Sequence, residues 1–177
     1  TAASSRPPSS QERDDPPDLL LPEQESAITA VRDLDAHHRR RVGELRAEFE
    51  AQVRPGERGA VARHRAEIAE VVANSAAVLV AGGHVAVLMN RLELFGIGPL
   101  LRDKPVIAWS AGAMAMTDTV VVFHDHPPQG AGDAEVLEVG LGLVPGVVVL
   151  PGARRRLDLA DPGRVGLMAR RFAPARS

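Results

Sequence analysis

The segment Pro105-Val106-Ile107-Ala108-Trp109-Ser110-Ala111-Gly112-Ala113 joins two different local patterns at one serine. The apolar run before Ser110 has no helical period and predicts a buried strand, whereas the small residues after it predict the start of a helix. Small residues also stand two positions before and two positions after the serine, at Ala108 and Gly112. This is the pattern of a nucleophile elbow, although the strict form has glycine at the first of these positions. The alternative interpretation is a serine that only caps the helix.

Strand and helix patterns alternate along most of the chain and predict an α/β protein with a mostly parallel sheet flanked by helices. An N-terminal helical pair comes first, and its apolar stripes are expected to face inward. We predict helices over residues 25–53, 57–74, 84–94 and 162–172, strands over 76–81, 105–109, 120–123 and 147–150, and a glycine-rich loop over 129–146. In the first helix the predicted stripe consists of Ile28, Val31, Leu34, Val42, Leu45, Phe49 and Val53, and the histidines and arginines at 37–41 are expected to form a solvated face.

The composition limits the classes of function. Residues 1–23 are rich in serine and proline and are predicted to be a disordered tail, and residues 24–177 are predicted to form a single domain. The 21 basic and 23 acidic residues nearly balance, so we expect neither a nucleic-acid nor a membrane partner. The chain contains no cysteine, which excludes disulfides and thiolate metal sites. We expect a cytoplasmic protein without a cofactor, and the composition does not indicate an oligomeric state.

Several candidate site residues fall where predicted parallel strands end, and binding sites of α/β sheets lie at that edge. They are Gly82-Gly83, Ser110, Asp125 and Gly152. His124-Asp125-His126 offers ligand types for a metal, but too few of them for a site, so we expect no metal. Gly82-Gly83-His84 lacks the full pattern of a phosphate-binding loop. For the arginines at 154–156, a solvated turn and a carboxylate-binding role remain equally open.

Three motifs resemble the dipeptidase E and cyanophycinase family of serine peptidases: Gly82-Gly83-His84, Trp109-Ser110-Ala111-Gly112-Ala113, and Gly140-Leu141-Gly142-Leu143 before an apolar strand. The resemblance implies a class I glutamine amidotransferase-like fold, with flavodoxin-like three-layer architecture. It implies Ser110 as nucleophile, Asp125 as the acidic member of the triad, and the N–H groups of Gly83 and Ala111 as the oxyanion hole. It also suggests an acidic peptide or amide substrate, with a candidate substrate-binding set of His84, Trp109, Arg154 and Arg155.

The resemblance fails at one catalytic position. Gly152 stands where the family has the histidine that serves as base, and a serine hydroxyl is a weak nucleophile without a base. We therefore expect a peptidase or amide hydrolase with impaired activity, unless His124 or His126 supplies the base. The alternative is a catalytically silent relative that binds a small molecule or a peptide. The sheet is expected to be incomplete at both ends, since the opening strand and the last strands of the family have no counterpart here.

Overall fold

A computed structural model describes residues 17–123 and 134–175. Helices and strands alternate along the chain, as the sequence predicts, and a 3₁₀ turn at Pro55–Glu57 separates the first two helices. The helices are α1 (Pro17–Val53), α2 (Gly59–Ala73), α3 (Val85–Leu94), α4 (Ile97–Leu101), α5 (Ala111–Met116), α6 (Ala153–Arg156) and α7 (Pro162–Phe172). The strands are β1 (Val78–Val80), β2 (Val106–Ala108), β3 (Thr119–Val122) and β4 (Glu135–Val139).

The sheet differs from the single, mostly parallel sheet that the sequence predicts. Over the described residues β1 pairs with β2 in parallel, with Leu79 opposite Ile107, while β3 and β4 form a separate antiparallel pair. Strand β4 lies inside the segment predicted as a loop, and residues 147–150 form no regular strand. The result is a mixed α/β fold whose small parallel sheet carries the strand before Ser110.

Helix α1 is longer than predicted, and only part of its predicted stripe faces inward: Ile28 is buried, and Val42 and Val53 are half-buried. It begins at Pro17, within the predicted tail, and it spans 37 residues. Much of the expected inward stripe is exposed, with Leu34, Leu45 and Phe49 at 64%, 49% and 53%. In the part of the chain that the structure describes, none of the helices combines the length and apolar character needed to cross a membrane.

The charged side of α1 makes the contacts that a solvated face would lack. The guanidinium of Arg39 donates a hydrogen bond to Thr119 Oγ1 at 2.8 Å, and His38 Nε2 lies 2.8 Å from the carbonyl oxygen of Leu137. The prediction of a solvated face over 37–41 is therefore wrong for Arg39, which is half-buried, whereas His38 stays exposed despite its contact with β4. Helical periodicity shows which side of a helix is apolar, but it does not show which side meets the rest of the protein.

Two apolar clusters form the core, and β3 contributes to both. Val120 and Val121 are both fully buried, although they are adjacent in the chain. Adjacent strand residues point to opposite faces, so Val120 packs into the first cluster and Val121 into the second. The first cluster also includes the fully buried Met89 of α3 and much of α5, while the second includes Met168 of α7. The elbow helix is thus anchored in the first cluster.

One side of the parallel pair is open over the described residues. Leu79 and Ile107 occupy paired positions on β1 and β2 and are 63% and 59% exposed. The sequence predicted both strands to be buried, because continuous apolar strands are typical of parallel sheets covered on both faces. Among the described residues, only the face of the sheet that carries Val80 is covered, and it packs into the first apolar cluster.

Candidate active site

Ser110 lies at a sharp turn between β2 and α5. Strand β2 ends at Ala108, α5 begins at Ala111, and Ser110 adopts φ 53° and ψ −127°. A non-glycine residue rarely takes positive φ, and such strain clusters at functional sites, where the surrounding structure maintains it. The predicted strand–turn–helix geometry of the elbow is therefore confirmed.

The Ser110 hydroxyl takes no part in capping the helix. Ser110 occupies the N-cap position of α5, but its side chain makes no capping hydrogen bond, although serine at an N-cap commonly makes one. The interpretation of this serine as a helix cap is therefore wrong. The exposed hydroxyl remains available to a bound molecule.

Two glycines explain why small residues surround the elbow. A Cβ atom added to Gly112 would overlap the carbonyl oxygen of Val80 and would lie 2.8 Å from that of Ala81. A Cβ atom on Gly82 would lie 2.9 Å from Ser110 Cβ and 3.0 Å from Ser110 Oγ. Helix α5 and the turn after β1 can therefore approach each other closely only because both positions are glycine.

The third family motif supports the far end of the elbow helix. The N–H groups of Leu141 and Leu143 donate to the carbonyl oxygens of Ala115 and Met116, at 2.8 and 2.9 Å. Carbonyl groups in the last turn of a helix have no partner within the helix, so this segment satisfies them. The sequence interpretation assigned no role to Gly140-Leu141-Gly142-Leu143, and the structure identifies this segment as a support for α5.

A cavity of about 430 Å³ opens in front of Ser110. Both predicted oxyanion-hole residues, Gly83 and Ala111, line it together with Ser110, which confirms the predicted proximity of the glycine turn to the elbow. Their role as hydrogen-bond donors stays a prediction. The cavity is lined by Gly83, His84, Val85, Ala86, Ser110, Ala111, Met114, Val122, Phe123, Leu137, Pro151 and Arg156. A second cavity, of about 530 Å³, lies against β2 and residues 142–149 and does not include Ser110.

Gly152 lies beside this cavity without lining it. Its neighbour Pro151 and the guanidinium-bearing Arg156 are both lining residues. Gly152 occupies the N-cap position of the one-turn helix α6 with φ 66°, a left-handed conformation that favours glycine. A Cβ atom there would meet the Arg156 side chain at 3.8 Å, so a side chain at position 152 would start toward the cavity wall.

Arg156 lines the cavity, although the sequence interpretation left its role open and did not include it in the candidate substrate-binding set. Its guanidinium donates a hydrogen bond to the carbonyl oxygen of Pro151 at 2.8 Å and lies 5.8 Å from the ring centre of Phe123. Arg154 and Arg155, the predicted pair, are exposed and are not among the lining residues. The sequence signal for Arg156 was its position four residues after Gly152. This spacing places two residues on the same face only if residues 153–156 are helical, which the structure shows.

The remaining predicted residues divide into two groups. His84 lines the cavity, whereas Trp109 is about half exposed and is not among the lining residues. The substrate-binding roles of Trp109, Arg154 and Arg155 stay predictions. His124, Asp125 and His126 lie outside the described residues, and Phe123, which precedes them, lines the cavity.

Comparison with known families identifies the chain. The family model described as peptidase family S51 matches residues 47–153, which is more than half of the chain. The chain therefore belongs to peptidase family S51, the dipeptidase E and cyanophycinase family that the motifs resemble. Searches of curated proteins and of solved structures found no significant match. Family membership supports a peptidase-type hydrolase in general.

Proposed function

We propose that this protein is a serine-nucleophile peptidase or amide hydrolase that acts through Ser110. The observation that carries the proposal is the strained Ser110 backbone, with a hydroxyl that does not cap the helix and that opens into a cavity. Strain of this kind costs of order 1–3 kcal/mol, and a helix cap alone would not require it.

The proposed chemistry is acyl transfer. Ser110 Oγ attacks the scissile carbonyl carbon while the N–H groups of Gly83 and Ala111 stabilise the oxyanion that forms. Preorganised donors of this type contribute several kcal/mol to transition-state stabilisation. The proposal includes Asp125 as the group that orients the base, a class I glutamine amidotransferase-like fold, and action in the cytoplasm.

The substrate class is proposed from the charge of the cavity. Arg156 is the permanently charged residue among the described lining residues. Guanidinium groups match carboxylates in geometry and charge, so Arg156 favours an acidic peptide. Arg156 also contacts Pro151 and Phe123, which keep its side chain in place at the cavity wall.

A second candidate function follows from Gly152. Without a histidine at this position, the family's usual base is missing, and the cavity would then serve a binding or regulatory protein. The two candidates differ in whether Ser110 reacts.

Labelling with a fluorophosphonate probe tests the proposal. We expect one modified serine, Ser110, located by mass spectrometry of the digested protein, and no labelling of Ser110→Ala. Ser75→Ala is the matched control, because the Ser75 hydroxyl already donates to the carbonyl oxygen of Val71 at 2.7 Å at the end of a helix. The control variant should label at the rate of the unmodified protein.

Peptide hydrolysis extends the same test to the substrate. Acidic peptides should be cleaved in preference to neutral ones, and Arg156→Met should remove that preference. Arg63→Met is the matched control and should retain it, because Arg63 is exposed on α2 and lies 3.8 Å from Glu67 on the same helix. A folded protein that neither labels at Ser110 nor cleaves peptides would contradict the hydrolase and favour the binding module.

A further inference from the structure

The position of the proton acceptor is open, because Gly152 has no side chain to take the proton of Ser110. Imidazole is the group that most often does this in proteins. The described residues contain four histidines: His37, His38, His64 and His84. Of these, His84 alone lines the cavity with Ser110.

The other three described histidines have partners elsewhere. His38 lies against the Leu137 carbonyl oxygen at 2.8 Å, and His64 lies 3.0 Å from a carboxylate oxygen of Glu67 on its own helix. His37 contacts Arg40 at 3.1 Å, one turn along α1. By contrast, the His84 ring is exposed and makes no hydrogen bond with the described residues.

The chain path keeps His84 close to the serine. His84 follows Gly82-Gly83, and a Cβ atom on Gly82 would lie 3.0 Å from Ser110 Oγ. Two residues span at most about 7 Å even when fully extended, so the His84 backbone starts within that distance of Gly82, a glycine that would touch the nucleophile if it had a Cβ atom. His84 is also the N-cap residue of α3, with an extended backbone and no capping hydrogen bond from its side chain.

We propose that His84 is the base that takes the Ser110 proton, in place of a histidine at position 152. This inference rests on the proposed function. The Ser110 O–H bond breaks as its proton passes to an imidazole nitrogen, the Oγ–C bond forms, and the carbonyl π pair moves onto oxygen. The oxyanion then reforms the carbonyl as the C–N bond breaks, and the imidazolium gives its proton to the leaving nitrogen.

The second half of the reaction uses the same group. Water loses a proton to the imidazole and attacks the acyl ester, and the proton then returns to Ser110 Oγ as the acid product leaves. No oxidant, metal or further reactant is needed. The groups that take part are one hydroxyl, one imidazole, two backbone N–H groups and water.

Fluorophosphonate labelling rates of His84→Ala and His84→Asn test the inference. Asparagine is a favourable N-cap residue and keeps the helix start, but it cannot accept the proton. Both variants should label at least about 100-fold more slowly than the unmodified protein, in line with the contribution of general-base catalysis. Added imidazole should restore much of the rate to His84→Ala, which loss of a merely structural residue would not allow. His64→Ala is the matched control and should label normally.

Steady-state kinetics separates a base from a binding residue. Loss of the base lowers kcat, whereas loss of a binding contact raises KM with little change in kcat. The inference is overturned if the His84 variants label within threefold of the unmodified protein, or if only KM changes. It is also overturned, while the proposed function stands, if His124→Ala or His126→Ala abolishes labelling and His84→Ala does not. Absence of Ser110 labelling in the unmodified protein would overturn the proposed function itself, and this inference with it.

Discussion

Gly112 determines how closely the elbow helix packs against β1. The carbonyl oxygens of Val80 and Ala81 occupy the space that a Cβ atom at this position would need. Both obstructing atoms belong to the backbone, so neither can rotate away as a flexible side chain would. Glycine at position 112, two residues after Ser110, is thus required by packing. This requirement would apply whether or not the serine reacts.

Gly112→Ala should lower the free energy of unfolding by about 3 kcal/mol, because overpacking forces backbone shifts in a close-packed core. Urea denaturation followed by circular dichroism measures the change. Gly43→Ala in α1 is the matched control, since a Cβ atom there meets nothing within 4 Å, and it should raise stability by about 0.5–1 kcal/mol. Equal stability of the two variants would contradict the packing argument.

At the scale of elements, buried charge joins α1 to the rest of the fold. The guanidinium of Arg46 forms an ion pair with Glu138 of β4, whose side chain is only 7% exposed, and it lies 3.6 Å from Glu93 of α3. Arg171 of α7 makes a bidentate pair with Asp35, with both contacts at 2.8 Å. Helix α1 is therefore held by directional contacts as well as by its buried Ile28.

Arg46→Met should destabilise the protein by about 2 kcal/mol, because it leaves the Glu138 carboxylate buried without its partner. The double variant Arg46→Met with Glu138→Leu should recover most of this loss, since it removes both charges. Arg41→Met is the matched control, because Arg41 pairs with Glu44 at the exposed surface, and it should change stability by less than about 0.5 kcal/mol. Thermal or urea unfolding compares the variants, and a double variant less stable than Arg46→Met would contradict this account.

At the scale of the whole molecule, β3 connects the two apolar clusters. Its adjacent residues Val120 and Val121 belong to different clusters, so loss of β3 would disrupt both. Neither cluster keeps its packing if this strand detaches. The described part of the chain should therefore unfold as one unit.

Met89→Ala and Met168→Ala should each lower stability by about 3 kcal/mol, because each removes a buried side chain from one cluster. Both variants should keep a single transition, with the fluorescence of the only tryptophan, Trp109, and far-UV circular dichroism changing together. Val87→Ala, at a position 53% exposed on the same helix as Met89, should have little effect. Separate transitions for the two probes would contradict the single unit.

The local elements of the site could be predicted from sequence. The apolar run before Ser110 and the small residues after it specified β2, the turn and α5, because each depends on contacts between near neighbours. Helix α7 was predicted with its observed bounds, since Asp161 and Pro162 mark a helix start by local chemistry. The Asp161 carboxylate accepts hydrogen bonds from the N–H groups of Gly163 and Arg164, which is the capping arrangement that this pattern favours.

What the sequence determined by itself is therefore the elbow, the glycine turn beside it and the family to which the chain belongs. Only the tertiary structure decided that α1 turns Arg39 and Arg46 toward the protein, that β4 pairs antiparallel with β3, and that Arg156 lines the cavity. These features depend on partners far apart in the chain, such as Arg46 and Glu138, and no local period records such pairs. A hydrophobic pattern shows how polar each face of a helix or strand is. The residues that pack against that face are determined only by the tertiary fold.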